Sequence, residues 1–399
     1  MIRTAIYFLL TVVLVVAGSL VSGSLWSGKP EQLPDDIEIV LRDNMTIAQF
    51  GQANDLEREA LKNIFGLQSP GDLQKQVSAM GMTAEQLTKK VNQAQALQAE
   101  HATKDWFKIP LKGGLWILFM AIVFNLLRKE KITARRRKVI YALAVILFGV
   151  LLGSDPSPMG TVKDAVVLFG SKGVIFPPRL IAFTVFLLLV VLANKFICSW
   201  GCQLGTLQDF IFRLNRNGGD TKGLIGQFKV PFIVSNTIRI VFFAALTAVA
   251  FLWATDIVEH IDPFKIFKPN VLGIAGITFI GIILIASLFI YRPWCHFFCP
   301  FGLVSWIAEK ISIFRIKVDY DKCVECGACE KACPSTVMGA ILKQDRVIPD
   351  CFSCGVCMEV CPVKAISFEK GKPQRPPADK FETGKDPDST VSEACNNSA

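Results

Sequence analysis

Residues 323–334 read CVECGACEKACP, and residues 351–362 read CFSCGVCMEVCP. Both runs space their cysteines as Cys-x2-Cys-x2-Cys-x3-Cys-Pro. A cubane iron–sulfur cluster needs four thiolates at its corners. Three close cysteines can wrap it, but their loop cannot bring round the fourth, and in two-cluster ferredoxins each run lends its last cysteine to the other cluster. This reading assigns Cys323, Cys326, Cys329 and Cys361 to one 4Fe-4S cluster, and Cys351, Cys354, Cys357 and Cys333 to a second. Gly327 and Gly355 would let backbone amides approach the inorganic sulfurs. Zinc also takes four cysteines, but usually from two Cys-x2-Cys pairs, so two triplets each closed by Cys-Pro favour iron–sulfur clusters. The flanks RIKVDYDKC and AISFEK alternate apolar and polar residues as short strands, and ILKQDRVIP between the runs suits a hairpin. Residues 313–369 therefore read as an α+β two-cluster bacterial ferredoxin-like domain.

The rest of the chain is of another kind. Of its 399 residues 51% are apolar and 19% charged, against roughly 25% charged in an average soluble protein, and mean hydropathy is +0.41. Six apolar stretches approach the roughly 20 residues that cross a bilayer as a helix: 4–23, 111–127, 139–153, 180–197, 230–254 and 271–291, the third being the weakest. No charge interrupts residues 4–28, which is long for a signal-peptide core of roughly 7–15 residues. The first stretch thus reads as a retained anchor. The loop 128–138 carries seven Lys or Arg and one acid, and 198–229 carries four basic residues against two acids. Positive loops stay in the cytoplasm, which predicts six spans with both termini inside a bacterial inner membrane. These loops absorb the net charge of +9, so it implies no nucleic acid.

The expected fold class is an α-helical polytopic membrane protein with two attachments, the ferredoxin-like domain and a small extracytoplasmic all-α domain. Residues 1–26 form the anchor, 27–108 the outer helical domain, 109–312 the membrane domain with five spans, and 370–399 a disordered tail of low apolar periodicity. The outer domain carries a weak repeat at a 26-residue offset, matching Ile47, Ala53, Leu56, Glu59 and Leu61 to Leu73, Ala79, Met82, Glu85 and Leu87. It suits docking or spacing; His101 in it is a lone histidine, read as a surface residue.

Of 13 cysteines, eight lie in the two runs and only Cys395 stands alone. The other four form CSWGC, with Cys198 and Cys202, and CHFFC, with Cys295 and Cys299. Tight spacing of this kind indicates ligation in a reducing compartment and not a disulfide scaffold. Residues four apart share a helix face, so each pair is expected to present two sulfurs in one direction at the inner membrane surface. A further metal or cluster and a redox-cycling dithiol both remain open for them. Trp200, Trp294, His296 and Phe297 are placed to line a quinone pocket, with His296 binding a carbonyl or exchanging its proton; interfacial anchoring explains the same aromatics. The three histidines, His101, His260 and His296, leave no intramembrane pair for b-type haem. There is no Cys-x-x-Cys-His, no G-x-G-x-x-G after a strand and no Walker loop, so covalent haem, NAD and ATP lack a site.

Two Cys-x3-Cys pairs behind membrane spans, a two-cluster ferredoxin motif after them, and GSDPSPMG at 153–160 resemble the polyferredoxin-type membrane proteins. That group includes the quinol-dehydrogenase membrane subunit of periplasmic nitrate reductase and the membrane regulator of nitrous oxide reductase. The resemblance covers about residues 111–369. It departs at Gln203, where the second pair has Pro300, and in residues 27–108, which carry no flavin attachment motif of the nitrous oxide regulator type. It implies a membrane-bound electron-transfer protein exchanging electrons between the quinone pool and redox protein partners, either soluble ferredoxin-like proteins or reductase subunits. The alternative is a metal-handling or assembly factor, in which the membrane thiolates hold a soft ion such as copper(I) and the clusters reduce it.

Overall fold

The computed structural model describes residues 2–25, 39–95 apart from 43, 68, 84, 85, 89 and 93, 108–377 apart from 155 and 173–176, and residue 381. His101, Glu85 of the repeat and most of the tail lie outside the described residues.

Three described helices are long and apolar enough to cross a membrane: Ile2–Ser24, Pro110–Arg128 and Phe232–Trp253. Two shorter apolar helices, Pro177–Ala193 and Ile274–Ala286, accompany them. All five turn large apolar side chains outward, with Ile117, Ile181, Ile233 and Ile274 exposed by 64%, 65%, 79% and 86%. Such belts are unfavourable in water and suit lipid. The remaining expected stretch, 139–153, lies mostly in a continuous helical run that changes type along its length. Ala134–Ala144, which starts with ARRRK, runs into a π-helical turn at Val145–Leu151.

The segment between the expected spans 139–153 and 180–197 is not a simple loop. Pro158–Lys172 is a helix packed against Phe232–Trp253. Lys163 and Asp164 give it a solvated look, but Lys163 is buried and paired with Asp256 at 2.6 Å, and Asp164 meets Arg179 at 3.0 Å.

Within residues 39–95, Ile47–Ala53 and Arg58–Phe65 form a helical pair, and Thr46 starts the first through a capping box with Gln49. Ile47, Phe50, Leu61, Ile64 and Val91 build its small core. The second copy of the repeat is built differently at its start: Pro70–Gln74 and Val77–Met80 are 3-10 turns.

In the C-terminal third, β1 (Phe314–Val318) pairs antiparallel with β2 (Ile366–Lys370), with Phe314 opposite Lys370 and Val318 opposite Ile366. Ile316, Val318, Ile366 and Phe368 turn inward, as period-two alternation requires. The expected hairpin at 341–349 is absent. Val337–Lys343 is a helix closed by Gln344 in the left-handed conformation. Its buried Val337, Met338, Ile341 and Leu342 repeat at helical spacing, a pattern cut in half when the segment is read from Ile341 onward.

Candidate iron–sulfur sites

Each ferredoxin run shares a cavity with the last cysteine of the other. Cys323, Cys326 and Cys329 line one cavity together with Cys361. Cys351, Cys354 and Cys357 line another together with Cys333. Gly327 and Gly355 have φ of 67° and 78°, which glycine adopts without strain, and each turns its run into a short helix, Ala328–Ala332 or Val356–Glu359. Burial pushes the Cys329 thiol up to about 12 and raises Cys333, Cys351 and Cys357 as well. Iron binds the thiolate, so loading these sites releases protons. The residues present fit 4Fe-4S clusters in ligand type, number and grouping.

The two cavities differ in surroundings. The one holding Cys323 reaches the surface past Val324 and Val363, exposed by 42% and 39%. The one holding Cys351 is sunk against the membrane helices and is lined in part by Tyr291. Phe352 stacks edge-on to Tyr291 at 5.7 Å and lies 5.4 Å from the His296 ring. Arg137 Nε donates to the Cys354 carbonyl at 2.9 Å, Trp200 Nε1 to the Ser353 carbonyl at 3.2 Å, and Arg216 Nη2 to the Ala332 carbonyl at 3.0 Å. Asp350, fully buried beside Cys351, is held by Lys195 and by Arg239 at 2.9 Å. Those two cations keep its carboxyl well below the usual carboxylate range despite its burial.

The four membrane cysteines also come together, although not as two helix faces. Cys198 lies in the π-helical turn Ile197–Gly201, while Cys202 is extended and starts the helix Gln203–Leu214. Cys295 lies in Pro293–Phe297, while Cys299 is extended and starts Pro300–Ala308. A proline at the first position of a helix cannot prolong a preceding one, so the break after Cys299 follows from Pro300. Cys198 and Cys295 share one packed cluster, Cys202 belongs to a second with Trp294, and Cys299 packs against both.

The two halves repeat. The offset between Cys198 and Cys295 also separates Cys202 from Cys299, Lys195 from Arg292 and Gly205 from Gly302. A Cβ on Gly205 would sit 2.5 Å from the Cys198 carbonyl oxygen, and one on Gly302 would sit 2.9 Å from that of Cys295. Each half is also clamped by the other. Arg292 donates to the Cys198 carbonyl at 2.6 Å, and Lys195 donates to the Gly302 carbonyl at 2.8 Å. Arg292 is in turn fixed by Asp209 at 2.6 Å, which also accepts from Tyr291 at 2.8 Å and meets Arg213 at 2.7 Å. Sequence reading misses Lys195, Arg292, Asp209 and Asp350; the matched basic residue three before each pair is the available signal.

The aromatic residues read as a quinone pocket fall into different surroundings. Trp200 is fully buried on Tyr141, at 4.6 Å, and on the Ser353 loop. Trp294 packs with Phe242, Phe279 and Phe298, and Phe297 lies 6.2 Å from Phe298. His296 lies between Tyr291 and Phe352, with Nδ1 3.9 Å from Asp350 and Nε2 buried without a partner.

Near Lys195 and Asp350, burial raises the Glu309 carboxyl to about 8. Its folded value lies above the ordinary value of 4.5, so the neutral form stabilises the fold at low pH, and that contribution fades as pH rises from about 4.5 through about 8. Glu309→Gln is therefore expected to raise the thermal midpoint more at pH 9 than at pH 5. A shift equal at both values would show that Glu309 does not titrate in this window.

The family described as a 4Fe-4S dicluster domain matches residues 315–362, and the family described as a 4Fe-4S binding domain matches twice, at 175–219 and 272–319. The chain is similar to YccM of Escherichia coli (strain K12), 29% identical over 47% of this chain and 55% of that protein. It is also similar to the ferredoxin-type protein NapH of Haemophilus influenzae, 28% identical over 43% of this chain and 54% of NapH. The regulatory protein NosR of Pseudomonas aeruginosa is 24% identical over 63% of this chain and 37% of NosR. The chain thus spans about half the length of the first two and less of the third. No solved structure matches.

Proposed function

We propose that this membrane iron–sulfur protein of the polyferredoxin type exchanges electrons between the quinone pool and a redox protein partner, through two 4Fe-4S clusters at the inner membrane surface. The carrying observation is the contact between Tyr291 of the membrane domain and Phe352, both lining the Cys351 cavity, while the Cys323 cavity opens to the surface. One cluster then faces the bilayer side and the other faces a partner. In this reading Cys323, Cys326, Cys329 and Cys361 ligate the outer-facing cluster, and Cys351, Cys354, Cys357 and Cys333 the inner one. The six-span arrangement with both termini cytoplasmic, and residues 27–108 outside, belongs to the same proposal.

Quinol oxidation yields quinone, two protons and two electrons, and clusters held by the two cysteine sets would supply one-electron acceptors for it. His296 is the residue suited to the proton. Burial lowers its imidazole to about 4 even with Asp350 nearby, so it is neutral at physiological pH, and its unpartnered Nε2 can accept from a hydroxyl or donate to a carbonyl. Mixing the purified protein anaerobically with menaquinol is expected to bleach the cluster absorption near-stoichiometrically. Clusters that stay oxidised at every quinol ratio would rule the reading out.

A further inference from the structure

Each match to the 4Fe-4S binding domain contains two cysteines and no more: Cys198 and Cys202 in residues 175–219, Cys295 and Cys299 in residues 272–319. Neither segment alone can complete a four-thiolate site. The fold brings the two together, with Arg292 and Lys195 clamping one half to the other.

The polar groups around this quartet are incomplete in a consistent direction. Gln208 lies on the helix that Cys202 starts, and its Oε1 is 3.7 Å from Cys295 Sγ, yet its Nε2 is buried with no acceptor. Trp294, beside Cys295 and packed in one cluster with Cys202 and Cys299, has a buried Nε1–H with no acceptor. An unmet buried donor is unfavourable, so two of them on side chains packed near these cysteines point to an acceptor held there. Gly302 N–H already donates to Cys299 Sγ at 3.4 Å.

Charge points the same way. Arg137, Lys195, Arg213, Arg216, Arg239 and Arg292 are buried, and their carboxylate partners are Asp209, Asp220 and Asp350, with the partly exposed Glu359 as a fourth. Each cation has a partner, but the six outnumber their four carboxylates, and a buried surplus of positive charge is unfavourable. Anionic groups in the Cys351 cavity and among the membrane cysteines would offset the surplus, and Arg292 reaches the Cys198 carbonyl at 2.6 Å and Arg239 that of Cys295 at 3.4 Å.

We infer that Cys198, Cys202, Cys295 and Cys299 jointly ligate a third 4Fe-4S cluster, one half-site from each repeat, with Gln208 Nε2–H and Trp294 Nε1–H donating hydrogen bonds to its sulfurs. The inference rests on the iron–sulfur reading above and extends it. A cluster held by these four cysteines would supply a one-electron carrier on the membrane side of the Cys351 cavity, whose lining includes Tyr291 and Phe352. Gln208 and Trp294 are positioning residues for its potential, since hydrogen bonds to the sulfurs favour the more negative reduced state.

The test uses the full chain, reconstituted anaerobically with iron and sulfide, with iron analysis and an EPR-monitored redox titration. The wild type is expected to hold roughly 1.5 times the iron that two 4Fe-4S clusters account for. Cys198→Ser with Cys295→Ser should lose that increment and one titrating signal while keeping two. Gln208→Leu and Trp294→Phe should keep the iron and move the same signal, alone, to lower potential. A cysteine variant with wild-type iron and all signals would overturn the third cluster and leave the two-cluster reading standing. So would stoichiometric copper or zinc in the wild type that the cysteine variant lacks. Unchanged potentials in both donor variants would overturn their assigned role. A wild type without any ferredoxin-type signal would overturn both readings.

Discussion

Cys361→Ala is expected to remove the cluster built by Cys323, Cys326 and Cys329, and to leave the one built by its own neighbours. In the fold Cys361 closes the first cavity and Cys333 the second, so each run depends on the other's last thiol. With three ligands and an open corner, the exposed site past Val324 would lose iron to solvent. The measurement is iron and acid-labile sulfide per chain with EPR of the reduced protein. One cluster's iron should go, and the surviving signal should be the one that broadens or shifts when Cys351 is replaced by serine. Loss of the Cys351 signal in the Cys361 variant would mean that the runs do not cross. Cys333→Ala should give the mirror result.

Asp209→Ala is expected to destabilise the membrane domain more than any other single side-chain truncation among the described helices. Asp209 is fully buried and takes Arg292 at 2.6 Å, Arg213 at 2.7 Å and the Tyr291 hydroxyl at 2.8 Å. Removing one partner of a buried ion pair costs about 3–5 kcal/mol because the other charge is left unpaired. Here two guanidinium groups lose a partner, against a net stability of about 5–15 kcal/mol for a typical protein. Little folded protein should accumulate in the membrane, and the thermal midpoint of what does should fall sharply. Asp209→Asn keeps an acceptor without the charge and should fall between. Wild-type yield and midpoint for the alanine variant would show that the network is not a structural support. Because Arg292 carries the Cys198 carbonyl, damage at Asp209 should also reach the membrane cysteines.

What is legible in the amino-acid sequence is the part of the molecule whose information is local. Ligand spacing within each run, alternation in β1 and β2, and the longest apolar helices are all written in consecutive residues. The misreadings have the opposite character. Pro158–Lys172 resembles a loop in sequence because Lys163 finds its partner, Asp256, in another segment. The 341–349 hairpin fails because the helical pattern begins at Val337. Treating each Cys-x3-Cys as one helix face ignores that Cys202 and Cys299 start new helices. Asp209 and Asp350 give no signal at all, since a single aspartate in a basic loop resembles any solvated charge. Only the partner, supplied by a distant stretch of chain, reveals it as buried. Lys195 and Arg292 are legible in principle, as the same basic position before two equally spaced pairs.

The grip of Lys195 and Arg239 on Asp350 governs how this molecule can work over time. The aspartate sits immediately before the first ligand of the inward-facing run, so that run is bolted to its support and cannot swing out as a carrier on a tether. Under the proposed function a redox protein partner would therefore have to travel to the protein and dock against a stationary terminal, making the rate depend on collision frequency and ionic strength instead of on any internal swivel.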